Sequence, residues 1–79
     1  MQDITRICKN FGKRPSHFLD NVQYKNIEVE SQAGPKGYTK IPDEYMHEFL
    51  LWLSPTTRTM LRTSGLEETL TFAKTYKNP

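Results

Sequence analysis

The chain has 79 residues, of which 35% are hydrophobic and 25% are charged, and its formal net charge is +2. A chain of this length forms one domain, residues 1–79, whose apolar side chains are all needed for packing, so an enclosed catalytic cleft is not expected. The composition excludes a disordered tail, and the longest apolar run, residues 49–53, is too short to span a membrane. With no signal-peptide pattern in residues 1–20, we expect a cytoplasmic protein without membrane contact, or a nuclear one in a eukaryote.

The charge is distributed unevenly along the chain. Residues 6–40 carry seven lysine or arginine side chains against three acidic ones, whereas residues 41–79 carry four against five. A basic half favours a polyanionic partner, although excesses of this size are also common on solvated surfaces. The single cysteine, Cys8, can form no internal disulfide and is expected to pack in the core.

The first predicted helix spans about Asp3 to Phe11. Its apolar residues recur at i, i+3, i+4 and i+7, Asp3 is a candidate N-cap, and Gly12 is placed to end the helix. Its polar face carries Arg6, Lys9 and Asn10. A second short helix is predicted from Pro15 to Val22 because proline suits a first helical turn.

Four polar residues lie at the start of this second helix: Lys13, Arg14, Ser16 and His17. Unsatisfied backbone N–H groups at a helix start favour a phosphate, and the neighbouring lysine and arginine add to that attraction. This segment is the first candidate contact surface, and Lys25 adds positive charge further along the chain.

A β-hairpin is predicted next. "NIEVESQ" (residues 26–32) and "GYTKI" (37–41) both alternate like strands, and Gly-Pro-Lys-Gly between them reads as a turn with Lys36 at its tip. Tyr38, beside Lys36 and Lys40, has two interpretations that remain open: contact with a sugar-phosphate backbone, or packing across the hairpin.

Two helices follow with strong signals. Pro42 begins the first, Asp43 and Glu44 complement its dipole, and an apolar face that includes Phe49 and Trp52 is expected in the core. Ser54 as N-cap and Pro55 as first residue predict the next helix, through about residue 63, with residues 60 and 61 facing inward.

The last segment, residues 64–77, is predicted as a helix. Ser64 and Glu67 have capping-box spacing, and Leu66, Leu70 and Ala73 recur at helical intervals. "TLTFAKTY" also alternates like a strand, so that alternative stays open.

The residue types that support catalysis or metal binding are scarce. His17 and His47 have no ligand partner at a recognised spacing, and Cys8 lies on an apolar stripe rather than beside a base. "GPKG" lies between strands, not before a helix as a phosphate-binding loop would. We expect no enzyme, no metal site and no cofactor.

Two segments in order resemble the KilA-N domain of phage and large-DNA-virus proteins, a relative of the fungal APSES DNA-binding domain. "ITRICKNFGKRPSHFL" is similar to the family's first signature through Ile7-Cys8-Lys9, Gly12-Lys13-Arg14 and Phe18-Leu19. "GPKGYTKIPDEYMHEFLLWLSP" is similar to the second, and Trp52-Leu53-Ser54-Pro55 matches it outright. The resemblance covers about residues 4–61.

The resemblance implies an α+β, winged-helix-like fold with four to five helices and one β-hairpin wing. It implies binding of double-stranded DNA through the second helix and the wing, by residues Lys9, Lys13, Arg14, Ser16, His17, Lys25, Lys36, Tyr38 and Lys40. Two departures are that the chain begins at Met1 without room for the family's leading hairpin, and that Asp3-Ile4-Thr5 replaces the family's Asn-Ala-Thr entry.

The principal hypothesis is a DNA-binding protein of phage or viral type, acting as a regulator in the host cytoplasm or nucleoid. The alternative is a small viral module that binds a host protein and inhibits or redirects it. A homodimer formed through an exposed edge strand is compatible with both.

Overall fold

A computed structural model describes residues 1–21 and 28–77 of the chain. The described residues form a small α+β domain with five α-helices and three strands, consistent with a winged-helix-like fold, as predicted. In chain order the elements are β1 (Gln2–Asp3), α1 (Thr5–Asn10), α2 (Pro15–Leu19), β2 (Glu30–Gln32), β3 (Tyr38–Ile41), α3 (Met46–Leu53), α4 (Pro55–Thr63) and α5 (Gly65–Thr75).

The sheet is antiparallel, with β3 between β1 and β2. The predicted hairpin is present as β2 and β3, in a register that pairs Ser31 with Thr39. A single short strand lies ahead of α1, where Gln2 pairs with Ile41. The sheet is therefore larger by one strand than the sequence predicted, because β1 adds to the free edge of β3.

Helix α1 is shorter than predicted at its N-terminal end. Its N-cap residue is Ile4, not Asp3, because the Ile4 N–H donates to Thr39 O at 2.9 Å and holds this residue against the sheet. The Asp3 carboxylate still accepts a hydrogen bond from the Thr5 N–H, at 2.9 Å. The prediction that Asp3 is the N-cap is wrong by one residue, since Asp3 belongs to β1.

The C-terminal end of α1 confirms the role predicted for Gly12. Its φ of 69° is in the left-handed region, which glycine adopts without a steric penalty. The Gly12 N–H donates to Lys9 O at 3.1 Å and the Lys13 N–H donates to Cys8 O at 2.8 Å. These two bonds form a Schellman motif that ends the helix and turns the chain toward α2.

Helix α2 begins at Pro15, as predicted, but ends at Leu19. The prediction extended it to Val22, which lies outside the described residues. Helix α3 also starts later than predicted: a 3-10 turn over Asp43–Tyr45 separates Pro42 from its first residue, Met46.

Helices α4 and α5 are both present where the sequence predicted them. Ser54 caps α4 by accepting the Thr57 N–H at 3.1 Å, and Pro55 is its first residue. The segment predicted as a helix near the C-terminus is helical, as α5. Ser64 occupies its N-cap position, but its side chain accepts no capping bond from the described first turn, and Leu66 is 43% exposed rather than inward-facing.

The core lies where α1, α2, β3 and α3 meet, with Ala73 of α5 closing one side. Phe18 packs edge-on against Phe49 with ring centroids 5.3 Å apart, and both are fully buried. Trp52 was expected in the core but is half-buried and lies at its margin, 5.4 Å from the Phe18 ring centroid. The buried hydrophobic residues are Ile4, Ile7, Cys8, Phe18, Ile41, Met46, Phe49, Leu50, Leu53 and Ala73.

Candidate nucleic-acid interface

The hairpin turn presents Lys36 to solvent. The Gly37 N–H donates to Gly34 O at 2.9 Å, which closes a β-turn with Pro35 and Lys36 at its two central positions. A Cβ at Gly37 would collide with the backbone oxygen of Gln32 and lie 2.9 Å from Gly34 O, so the turn requires glycine there. The lysine predicted at the tip is therefore held on a defined, exposed turn.

Tyr38 and Lys40 lie on the sheet face opposite to Ile41, together with Glu30. The Tyr38 hydroxyl donates to Glu30 Oε1 at 3.0 Å, and the Lys40 amine lies 5.1 Å from the Tyr38 ring centroid. The hydrogen bond to this carboxylate, followed by its negative charge, raises the pKa of Tyr38. Of the two interpretations of Tyr38, this geometry is that of packing across the hairpin.

Acidic residues also flank Lys40 on both sides of β3. In the register of the sheet its cross-strand neighbours are Glu30 on β2 and Asp3 on β1. Opposite charges directly across a sheet attract one another, so part of the positive charge of Lys40 is compensated within the protein.

The segment before α2 places its basic side chains differently. The Lys13 amine lies 5.3 Å from the centroid of the Trp52 ring, a cation–π contact that ties this residue to α3. Arg14 is the extended N-cap residue of α2, and its side chain is exposed. Ser16 and His17 follow on the first turn and are also exposed.

The predicted attraction of phosphate to the start of α2 depends on these side chains more than on the helix. Helix α2 has five residues, so few peptide dipoles add together along it. Arg14 is the basic side chain of this segment that has no hydrogen bond, ion pair or ring contact with a described residue, since the Lys13 amine lies against an aromatic ring.

Three of the predicted site residues, Lys13, Tyr38 and Lys40, make side-chain contacts with described residues, and these contacts form two separate groups. One surrounds Lys13 and Trp52, and the other surrounds Tyr38, Lys40 and Glu30. Lys9 is exposed in the last turn of α1, and Lys25 lies outside the described residues.

Sequence reasoning missed a different cluster, formed by Asp3, Arg6, Ile7 and Lys74 around a surface cleft. Lys74 is far from the other three in the chain, and no local spacing links them. The helical periodicity of α1 placed Arg6 on a polar face, and the sequence contained no other indication of this cluster.

The Cys8 thiol is buried and protonated. Burial raises the pKa of the Cys8 thiol to about 12, so the thiolate that would act as a nucleophile does not form near neutral pH. Within residues 1–21 and 28–77, no three His, Cys, Asp or Glu side chains are grouped so that they could hold a metal ion. In the same ranges, no helix has the length and apolar character that crossing a membrane requires.

No family model matches the chain, and neither the curated proteins nor the solved structures contain a significant match.

Proposed function

We propose that this protein binds double-stranded DNA, with the β2–β3 hairpin as a wing and the Arg14 segment as a second contact, as a regulator of phage or viral type. The observation that carries the proposal is the position of Lys36, exposed at the tip of a closed turn on a winged-helix-like domain. A lysine at the end of a projecting ribbon reaches a phosphate backbone without steric obstruction from the body of the protein.

The contribution of each basic side chain follows from its surroundings. Lys36 and Arg14 are exposed, and the described residues give neither of them an acidic partner. Lys13 and Lys40 lie against aromatic rings, and Lys40 also has two acidic cross-strand neighbours. We therefore expect Arg14 and Lys36 to contribute most to phosphate binding, with Lys9, Lys13 and Lys40 supporting them, and Ser16 and His17 nearest to the bases.

Fluorescence anisotropy with a labelled random duplex, over a range of salt concentrations, tests this proposal. Each neutralised phosphate contributes about −0.9 to the slope of log K against log salt, so Lys36→Gln should reduce the slope by about 1. Arg62→Gln is the matched control, because Arg62 is exposed on α4 and its substitution removes the same charge from another element. An affinity that does not depend on salt, or equal slopes for the two variants, contradicts the proposal.

A second candidate is a protein-binding module that acts on a host protein. The compensated charge around Lys40 favours it, because two acidic residues beside the wing would repel phosphates. Pull-down with the full chain from nuclease-treated lysate separates the two candidates, since a stoichiometric protein partner that survives nuclease is expected only for the second.

A further inference from the structure

A cleft of about 310 Å³ lies between β1, α1 and α5. Ile7, a core residue that is only 2% exposed, lies at its base. Its rim carries Arg6 from α1, Lys74 from the last turn of α5, and Asp3 from β1. This volume is at the lower limit of about 300 Å³ for small-ligand sites, which suits one or two side chains of a partner.

Neither basic side chain of the rim has an acidic partner within residues 1–21 and 28–77. The described residues contain one ion pair, between the Met1 amino group and Asp43, so neither Arg6 nor Lys74 is paired. One oxygen of Asp3 already accepts the Thr5 N–H at 2.9 Å. The rim therefore has two free cationic groups and one partly satisfied carboxylate, with a net positive charge.

The walls of the cleft are fixed relative to each other by contacts one turn away. The Asn10 side-chain amide donates to Ala73 O and to Lys74 O, each at 3.3 Å, and thereby joins α1 to the end of α5. The Phe11 ring stacks on Tyr76 with centroids 4.3 Å apart. A ligand would meet a preformed site and would not have to order two separate helices.

We propose that this cleft binds an acidic segment of a protein partner. An Asp or Glu carboxylate of the segment enters the cleft and contacts Arg6 and Lys74 at its rim. An arginine fork matches a carboxylate in two parallel hydrogen bonds. Asp3 accepts a peptide N–H from the same segment, a donor that the sugar-phosphate backbone of DNA does not have. The acidic segment would belong to the protein partner of the second candidate function, and its binding to the cleft does not depend on duplex binding.

Chemical-shift titration of the ¹⁵N-labelled full chain with the peptide acetyl-Leu-Glu-Glu-Leu-amide tests the inference. We expect shifts to concentrate at residues 3–7 and 73–75. Arg6→Gln and Lys74→Gln should each weaken binding by about three- to tenfold, the range for one hydrogen bond or ion pair at an exposed site, and the double variant should abolish it. Arg62→Gln is the protein control, and acetyl-Leu-Gln-Gln-Leu-amide is the ligand control.

The inference is overturned if the shifts centre elsewhere, if Arg6→Gln binds the peptide as tightly as the native chain, or if the uncharged peptide binds equally well. Arg6 and Lys74 are exposed, and circular dichroism checks that the variants stay folded. A parallel titration with the random DNA duplex distinguishes this proposal from the proposal of DNA binding. Lys36→Gln should lose duplex affinity and retain the peptide, whereas a duplex that displaces the peptide would assign the cleft to the DNA surface and overturn the inference.

Discussion

At the residue scale, Thr57 joins two helices that are separated by a single residue, Ser54. Its side chain is fully buried, and its hydroxyl donates to Leu50 O at 2.6 Å, while its N–H donates to the Ser54 side chain at 3.1 Å. The hydroxyl therefore satisfies a carbonyl near the C-terminal end of α3 that has no helical partner of its own. The sequence predicted Ser54 as the cap, but nothing local indicated that Thr57 is buried.

Thr57→Val should lower the free energy of unfolding by about 1–3 kcal/mol, because it removes a buried donor and leaves the Leu50 carbonyl unsatisfied at nearly constant volume. Thr59→Val is the matched control on the same helix. The Thr59 hydroxyl is exposed and donates only to Pro55 O, so its loss should change stability by less than about 0.5 kcal/mol. Urea denaturation of the two variants measures the difference, and equal midpoints would contradict the account of Thr57.

Cys8 gives a prediction about pH. Burial raises the pKa of its thiol to about 12 in the folded chain, from its ordinary value of 9.0. Between these two pH values the folded state keeps a thiol proton that the unfolded state has lost. The contribution of Cys8 to the free energy of unfolding is therefore fully present below pH 9.0 and decreases as the pH rises toward about 12. Thermal unfolding between pH 8 and pH 11 should show this decline in excess of that in Cys8→Ala.

The same thiol should react slowly with a disulfide reagent at pH 8 in the folded chain and rapidly in urea. Equal rates in the two states would mean that Cys8 is accessible. If the stability of the native chain and that of Cys8→Ala fall equally between pH 8 and pH 11, burial of the Cys8 thiol is not the cause of the decline.

At the element scale, the hairpin depends on its turn. Gly37 follows Lys36, and any larger residue there meets the backbone oxygens of Gln32 and Gly34. Gly37→Ala should open the turn and disrupt the pairing of β2 with β3, because backbone atoms cannot yield as a flexible side chain can. Amide chemical shifts of residues 30–41 should report this loss while the helical circular dichroism persists.

Lys36→Gln is the control for Gly37→Ala, since it removes the charge and leaves the turn glycines in place. If the wing binds duplex DNA, both variants should lose affinity, but only Gly37→Ala should alter the shifts of the hairpin. A Gly37→Ala hairpin that keeps native shifts would show that the turn tolerates a side chain.

Elements with local signals were predictable, and elements held by distant contacts were not. Gly-Pro-Lys-Gly encodes its own turn, and Ser54-Pro55 encodes its own helix start, so both are where the sequence predicted them. Strand β1 has two residues and exists only because Ile41 and Lys40 of β3 lie beside it. Likewise, no local pattern indicates that Tyr38 bonds to Glu30 or that Lys13 lies on Trp52.

At the scale of the whole molecule, α5 closes the domain against α1. Asn10 bonds to two carbonyls near the end of α5, and Phe11 contacts both Phe72 and Tyr76. These contacts join residues more than 60 positions apart in the chain. The same junction sets the distance between Arg6 and Lys74, so the closure of the domain also shapes the cleft proposed to bind an acidic segment.

Whether the hairpin and the segment before α2 act as one surface is also a property of the whole molecule. If one duplex contacts Arg14 and Lys36 together, each variant to glutamine should reduce the salt slope by about 1, and the double variant should reduce it by about 2. Losses in binding free energy should then add within about 0.5 kcal/mol, since the two side chains share no partner. Anisotropy titrations of the native chain, both single variants and the double variant measure this cycle. A double variant no weaker than Lys36→Gln would mean that Arg14 does not reach the duplex and that the wing binds alone.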